Sequence, residues 1–194
     1  VNLPNKLTIL RILMTFLFIF LIRQEGLMFA VSATIIFALA SLTDYFDGYI
    51  AKKYNLISDF GKLMDPIADK FLMLAAFLAF VRLHLVDDWM VILIFSREII
   101  VTGLRIFALT KNKVLAAERG GKRKTVSQIV AIFVILGFII FKRSTVAIGG
   151  WTEDVEFWWK IGISISMLIT VCLTVTSGLS YLWRNRELIK INEK

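Results

Sequence analysis

Four aspartates, Asp44, Asp47, Asp65 and Asp69, sit in the stretch "SLTDYFDGYIAKKYNLISDFGKLMDPIADK" (41–70) at spacings of three, eighteen and four residues. On a helix, residues three and four apart differ in direction by only about 60° and 40°. Each pair therefore shares one helical face. If the two helices run antiparallel, joined by the short link between them, all four carboxylates converge on one volume. At bilayer depth a single aspartate costs about 2.5–3.5 kcal/mol on insertion scales. Two like charges 4 Å apart repel by about 4 kcal/mol at an effective dielectric near 20. A positive partner is needed, and all-oxygen ligation selects a hard divalent cation: magnesium, with manganese or calcium as alternatives. Four carboxylates can hold two ions with shared oxygens, the arrangement of two-metal phosphoryl-transfer sites.

Small residues accompany the acids. Gly48 and Ala51 continue the stripe begun by Asp44 and Asp47, and Gly61 opens the next helix. Removing bulk there lets a phosphate or a flat nucleotide reach the backbone. Pro66 deletes a backbone donor and predicts a kink between Asp65 and Asp69. Asp59 follows Ser58 at a helix start and suits capping better than ligation. The competing reading, a capped helix end with solvated acids, accounts for one aspartate more readily than for four.

The elements that must position this cluster are membrane helices. The chain has 194 residues, 58% of them hydrophobic, with a mean hydropathy of +0.75; soluble domains sit nearer 45–50% apolar. Six apolar runs, roughly 7–22, 27–51, 61–81, 88–110, 125–142 and 156–183, approach or exceed the ~20 residues a helix needs to cross a bilayer. They are continuous and not alternating, which argues against a β-barrel. The prediction is an all-α, polytopic membrane protein with six transmembrane helices and a single domain over residues 1–194. No cleavable leader is expected after Arg11. Lys and Arg are concentrated in Lys6, Lys52, Lys53 and Lys62, in "KNKVLAAERGGKRK", and in "RNRELIKINEK". That bias places both termini and the aspartates on the cytoplasmic side. Trp89, Trp151, Trp158 and Trp159 mark the opposite boundary. The net charge of +8 lies in these connections and reads as anionic-lipid attraction, with no nucleic-acid partner. Cys172, the sole cysteine, is expected in the core.

Read as Asp44-x-x-Asp47-Gly48-x-x-Ala51-Lys52-x8-Gly61-x3-Asp65-x3-Asp69, the stretch resembles the signature of the CDP-alcohol phosphatidyltransferases. The family has arginine where this chain has Lys52. As a point charge, lysine attracts phosphate without the bidentate guanidinium contact. The likeness extends over nearly the whole chain, since six spans are also the family's architecture. "NLPNKLTILRI", "SREIIVTGLR" and "GGKRKTVSQ" are similar to segments of those members whose acceptor is glycerol-3-phosphate. The resemblance implies a bacterial cell-membrane enzyme, multi-pass and homodimeric, with its active site on the cytoplasmic side. In that reaction a hydroxyl of glycerol-3-phosphate attacks the lipid-side phosphorus of CDP-diacylglycerol and CMP leaves. It further implies that Asp44, Asp47, Asp65 and Asp69 ligate two Mg2+ or Mn2+ ions, that Asp69 is the general base, and that Gly48, Ala51 and Gly61 accommodate the cytidine nucleotide.

Asn5, Thr8 and Arg11 recur at helical spacing and, by resemblance, join Lys52 in the CDP-lipid site. The alternative makes Arg11 an interfacial anchor that snorkels to headgroups. Arg97, Glu98 and Arg105 occupy an arc of about 100° in the fourth run, and intramembrane arginines usually face a polar cavity. The acceptor is itself a phosphate, so Arg97, Arg105, Lys122 and Lys124 are the candidate acceptor pocket, with Glu98 orienting an arginine. Lys122 to Lys124 could instead be an ordinary positive-inside cluster. His84 receives no chemistry. Inositol phosphate, serine and phosphatidylglycerol are alternative acceptors, and a carboxylate-lined cation transporter is the alternative of a different class.

Overall fold

In the computed structural model the backbone is described for residues 3–54, 59–110 and 119–186, and the side chains for residues 9–43, 70–108 and 123–186. Six helices follow one another: α1 (Leu3–Arg23), α2 (Leu27–Tyr54), α3 (Asp59–Arg82), α4 (Asp88–Thr110), α5 (Arg119–Ala147) and α6 (Glu153–Arg184). Among the described residues there is no strand. The chain is all-helical, as its apolar runs predict, and each run lies inside one helix.

The helices outlast the apolar runs. α5 begins at Arg119, six residues ahead of Thr125, and α6 begins at Glu153. Polar first turns need not lie in hydrocarbon, and they suit the helix ends. Glu153, Asp154 and Glu156 fill the first turn of α6, where the macrodipole favours anions, and Thr152 caps it by accepting from the Val155 amide at 3.4 Å. α3 runs unbroken through Pro66.

α1 packs against both α2 and α3, α5 against α6, and α4 against α6, with α2 and α3 also touching α5. The described core is aliphatic and aromatic: Phe18, Phe37, Phe77, Phe80, Ile132, Ile135 and Leu136 are fully buried. Ala30, Ala33, Phe37 and Ala40 recur three and four apart on α2 and are all fully buried. The three alanines of that stripe let neighbouring backbones approach closely. At the far end of the bundle Arg143 of α5 donates to the Ile22 and Gly26 carbonyls, both at 3.1 Å. That satisfies the Ile22 acceptor left over at the end of α1 and ties α5 to the α1–α2 turn at Gly26.

Much of the exterior is apolar as well. Leu13, Phe16 and Phe20 on α1, Ile92 and Ile99 on α4, and Phe157, Ile165 and Ile169 on α6 are all more than half exposed. Among the described residues two helical stretches, Arg123–Ala147 and Glu153–Arg184, are long and apolar enough to cross a membrane. Trp89 and Trp158 are exposed, whereas Trp151 and Trp159 pack on Phe138 at 5.9 and 5.7 Å. One expectation fails. Cys172 is exposed on α6, because a helix apolar all round carries no sequence mark for its inward face.

Candidate active site

α2 and α3 are consecutive, and only residues 55–58 separate them. Asp44 and Asp47 lie towards the end of α2, and Asp65 and Asp69 in the first turns of α3. The backbone thus carries both pairs on helices, as their spacing requires. The side chains of all four, like those of Asn5, Thr8, Gly48, Ala51, Lys52, Gly61 and Lys122, lie outside the described residues. Four carboxylates and no sulfur or imidazole make a donor set that fits a hard divalent ion.

Side-chain geometry begins one residue later. Lys70 follows Asp69 directly, so their Cα atoms are about 3.8 Å apart. Its ammonium donates to Glu98 of α4 at 2.8 Å. Glu98 also pairs with Arg97 at 3.4 Å and with Lys124 of α5. Three cations from three helices therefore meet one carboxylate. Arg97, Glu98 and Lys124 are only 9–11% exposed in their side chains, against 36% for Lys70. Charges this deep are retained only when paired and hydrogen-bonded.

α6 completes the setting. Arg97 donates from Nη2 to the Ser177 hydroxyl at 2.9 Å. Its aliphatic stem lies on Gly178, where an added Cβ would fall 2.6 Å from the Arg97 Cγ. Only glycine leaves room for the arginine there. One turn before Ser177 is Thr174, and one turn after is Tyr181; Gln128 lies one turn beyond Lys124. Thr174 Oγ1, Tyr181 Oη and Gln128 Nε2 are buried and have no hydrogen-bond partner among the described residues. A polar seam thus runs between α5 and α6 beside the cations. The Thr170 hydroxyl, donating to the Ser127 carbonyl at 3.2 Å, ties its outer end.

The structure brings together Arg97 and Lys124 of the expected acceptor pocket, with Glu98 holding the arginine. It does not bring in Arg105, which is exposed two turns further along α4. Arg11 is fully buried on α1, which rules out the snorkelling anchor. Lys70, Ser177, Gly178 and Gln128 were not legible as site residues. Lys70 could have been suspected from its place beside the last aspartate, and Ser177-Gly178 from a small polar pair in an apolar helix. His84 lies at a turn with φ of 55° and joins none of this.

Buried cations and hydroxyl and amide groups of this kind are what an anionic substrate group needs for charge-assisted hydrogen bonds. Comparison with known proteins agrees with that chemistry. The family model described as CDP-alcohol phosphatidyltransferase matches residues 1–183. The chain is 36% identical over 201 residues to the CDP-diacylglycerol–glycerol-3-phosphate 3-phosphatidyltransferase of Bacillus subtilis, covering 97% of both chains. It is 35% identical to the protein of the same name from Rickettsia typhi, covering 93% of this chain and 94% of that one. A probable phosphatidylglycerophosphate synthase of Mycobacterium tuberculosis is 33% identical, with 94% and 81% covered. With its signature, its six helices and a family match over almost its whole length, this chain belongs to the CDP-alcohol phosphatidyltransferases.

Proposed function

We propose that this chain is an integral membrane enzyme that transfers the phosphatidyl group of CDP-diacylglycerol to glycerol-3-phosphate, releasing phosphatidylglycerophosphate and CMP. All six helices span the bilayer, with both termini and the acid-bearing ends of α2 and α3 on the cytoplasmic face. The apolar exterior of α1, α4 and α6 supports this, as does the bias of Lys and Arg between connections. The active unit is a homodimer in the cell membrane, as family resemblance implies.

The observation that carries the reading is the junction at Asp69 and Lys70. Asp69 ends the acid signature, and Lys70 begins the cationic cluster through its 2.8 Å bond to Glu98. Donor and acceptor are both anionic and must meet at one phosphorus, so an acid-rich and a base-rich site have to adjoin. Asp44, Asp47, Asp65 and Asp69 would hold Mg2+ or Mn2+, which supplies Lewis-acid stabilisation of charge developing on the pyrophosphate. Asp69 takes the proton from the acceptor hydroxyl as it attacks the phosphorus bonded to the lipid. The bond from that phosphorus to the CMP oxygen breaks, and CMP leaves. Arg97 and Lys124, with Lys122 two residues before Lys124, hold the acceptor's phosphate, and Glu98 keeps Arg97 and Lys124 aimed. Gly48, Ala51 and Gly61 seat the cytidine nucleotide, and Asn5, Thr8, Arg11 and Lys52 the donor's phosphates.

Purified protein given CDP-diacylglycerol, Mg2+ and glycerol-3-phosphate should release CMP. Asp69→Asn should slow release by about 10²–10⁴-fold, the usual contribution of a positioned base. Release that is absent in the parent protein, or that survives Asp69→Asn intact, refutes the reading. Inositol phosphate and serine as competing acceptors test the choice of acceptor in the same assay.

A further inference from the structure

α1 and α3 leave a groove between them that runs from Phe71 to the end of the bundle away from the aspartates. Its volume is about 450 Å³. Ala75 and Ala79, 6% and 9% exposed, form a floor without bulk, and Leu78, 52% exposed, forms a wall. Phe71, in ring contact with Phe16 of α1 at 5.7 Å, joins the two helices at the inner end. At the outer end stand Arg23 and Arg82, the last residues of α1 and α3. Both are exposed, and neither has a hydrogen-bond or ion-pair partner among the described residues.

Dimensions and charge together define an occupant. From Phe71 to Arg82 the helix rises about 16 Å at 1.5 Å per residue, half of a hydrocarbon core of about 30 Å. The groove is thus one leaflet deep, with two guanidiniums at the level of the headgroups. Guanidinium is the group best matched to phosphate, through parallel hydrogen bonds. Asp69 lies thirteen residues from Arg82 on the same helix, about 20 Å away, so the arginine mouth of the groove lies apart from the acid signature. A second groove of about 460 Å³, between α3 and α4, has Lys70 and Glu98 in its lining. Those two charges are paired with each other, so that groove lacks a comparable cationic mouth.

We infer that the α1–α3 groove binds one anionic phospholipid of the leaflet opposite the active site, with its phosphate on Arg23 and Arg82 and an acyl chain along Ala75 and Leu78. This rests on the membrane reading proposed above.

The test is native mass spectrometry of the full-length protein released from bilayer discs of mixed phosphatidylglycerol and phosphatidylcholine. The parent protein should retain phosphatidylglycerol in excess of its share of the bilayer. Arg23→Gln/Arg82→Gln, changed only at exposed positions, should retain the two lipids in proportion while releasing CMP at the parent rate. Arg97→Gln should keep the excess. An equal excess in the parent protein and the double variant, or no excess in the parent, overturns the groove. Loss of the excess in Arg97→Gln alone also overturns it, by placing the lipid at the substrate site. A chain that alkaline carbonate strips from vesicles, retaining neither lipid, fails the membrane reading instead.

Discussion

Glu98, halfway along α4, and Glu156, in the first turn of α6, are held by cations in similar ways. Glu98 of α4 takes Lys70, Arg97 and Lys124 from three helices. Glu156 of α6 takes Lys142 and Lys160, both at 2.9 Å, and the Trp151 indole N–H at 3.0 Å. The difference is depth. Glu98, Arg97 and Lys124 are about nine-tenths buried, while Glu156, Lys142 and Lys160 are 26%, 38% and 55% exposed. Water screens the outer cluster, so its pairs contribute about 0–1 kcal/mol each. The inner cluster stands in a low dielectric, where each charge holds the others in position. An outer cluster of this kind ties α5 to α6; the inner one joins α3, α4 and α5, and its α3 member, Lys70, is the residue after Asp69.

The contrast can be broken most forcefully at Glu98. Glu98→Gln leaves two buried cations, Arg97 and Lys124, and the part-exposed Lys70 facing one another, and removing one partner of a buried pair costs about 3–5 kcal/mol. Denaturation of the detergent-solubilised protein should show a loss of that order. The matched change Glu156→Gln should lower stability by about 1–2 kcal/mol, since exposed pairs contribute little. Equal losses would erase the distinction between the clusters.

Gly178→Ala sharpens the comparison without touching a charge. The new methyl would stand 2.6 Å from the Arg97 Cγ, and overpacking of this kind costs about 1–3 kcal/mol. Arg97 has to move off Ser177, so the KM for glycerol-3-phosphate should rise while the KM for CDP-diacylglycerol holds. Gly162→Ala, on the same helix with nothing within 4 Å of the added methyl, should leave both constants unchanged. The smallest effect belongs to Lys160→Ala, which removes one exposed i,i+4 pair. Stability should fall by no more than about 0.5 kcal/mol, with CMP release unaltered.

The fold was largely legible because continuous apolar runs of bilayer length admit little besides helices. Helix ends were less so: the first turns of α5 and α6 are charged, and composition alone stops the helix where the apolar run stops. The helical placement of the acid signature was legible because its two pairs are local, fixed by spacing along α2 and α3; how the four side chains meet lies outside the described residues. The cationic cluster was legible only in part. Arg97 and Lys124 stood out as charges in or beside apolar runs, but which residues meet Glu98 depends on how α3, α4, α5 and α6 rotate against one another. Arg105, in the same arc as Glu98, shows the limit: two turns of rise carry it to an exposed position. Ser177 and Gly178 matter for what they leave room for, which no residue type announces by itself.

The most direct test compares the KM for glycerol-3-phosphate in Arg97→Gln and Lys160→Gln, with CDP-diacylglycerol saturating and CMP release as the readout. Loss of a charge-assisted phosphate contact, worth about 1.5–3 kcal/mol, predicts a KM raised by about 10–150-fold in Arg97→Gln and unchanged in Lys160→Gln. An unchanged KM in Arg97→Gln, with the protein still folded and turning over, would contradict the assignment of the inner cluster to the acceptor.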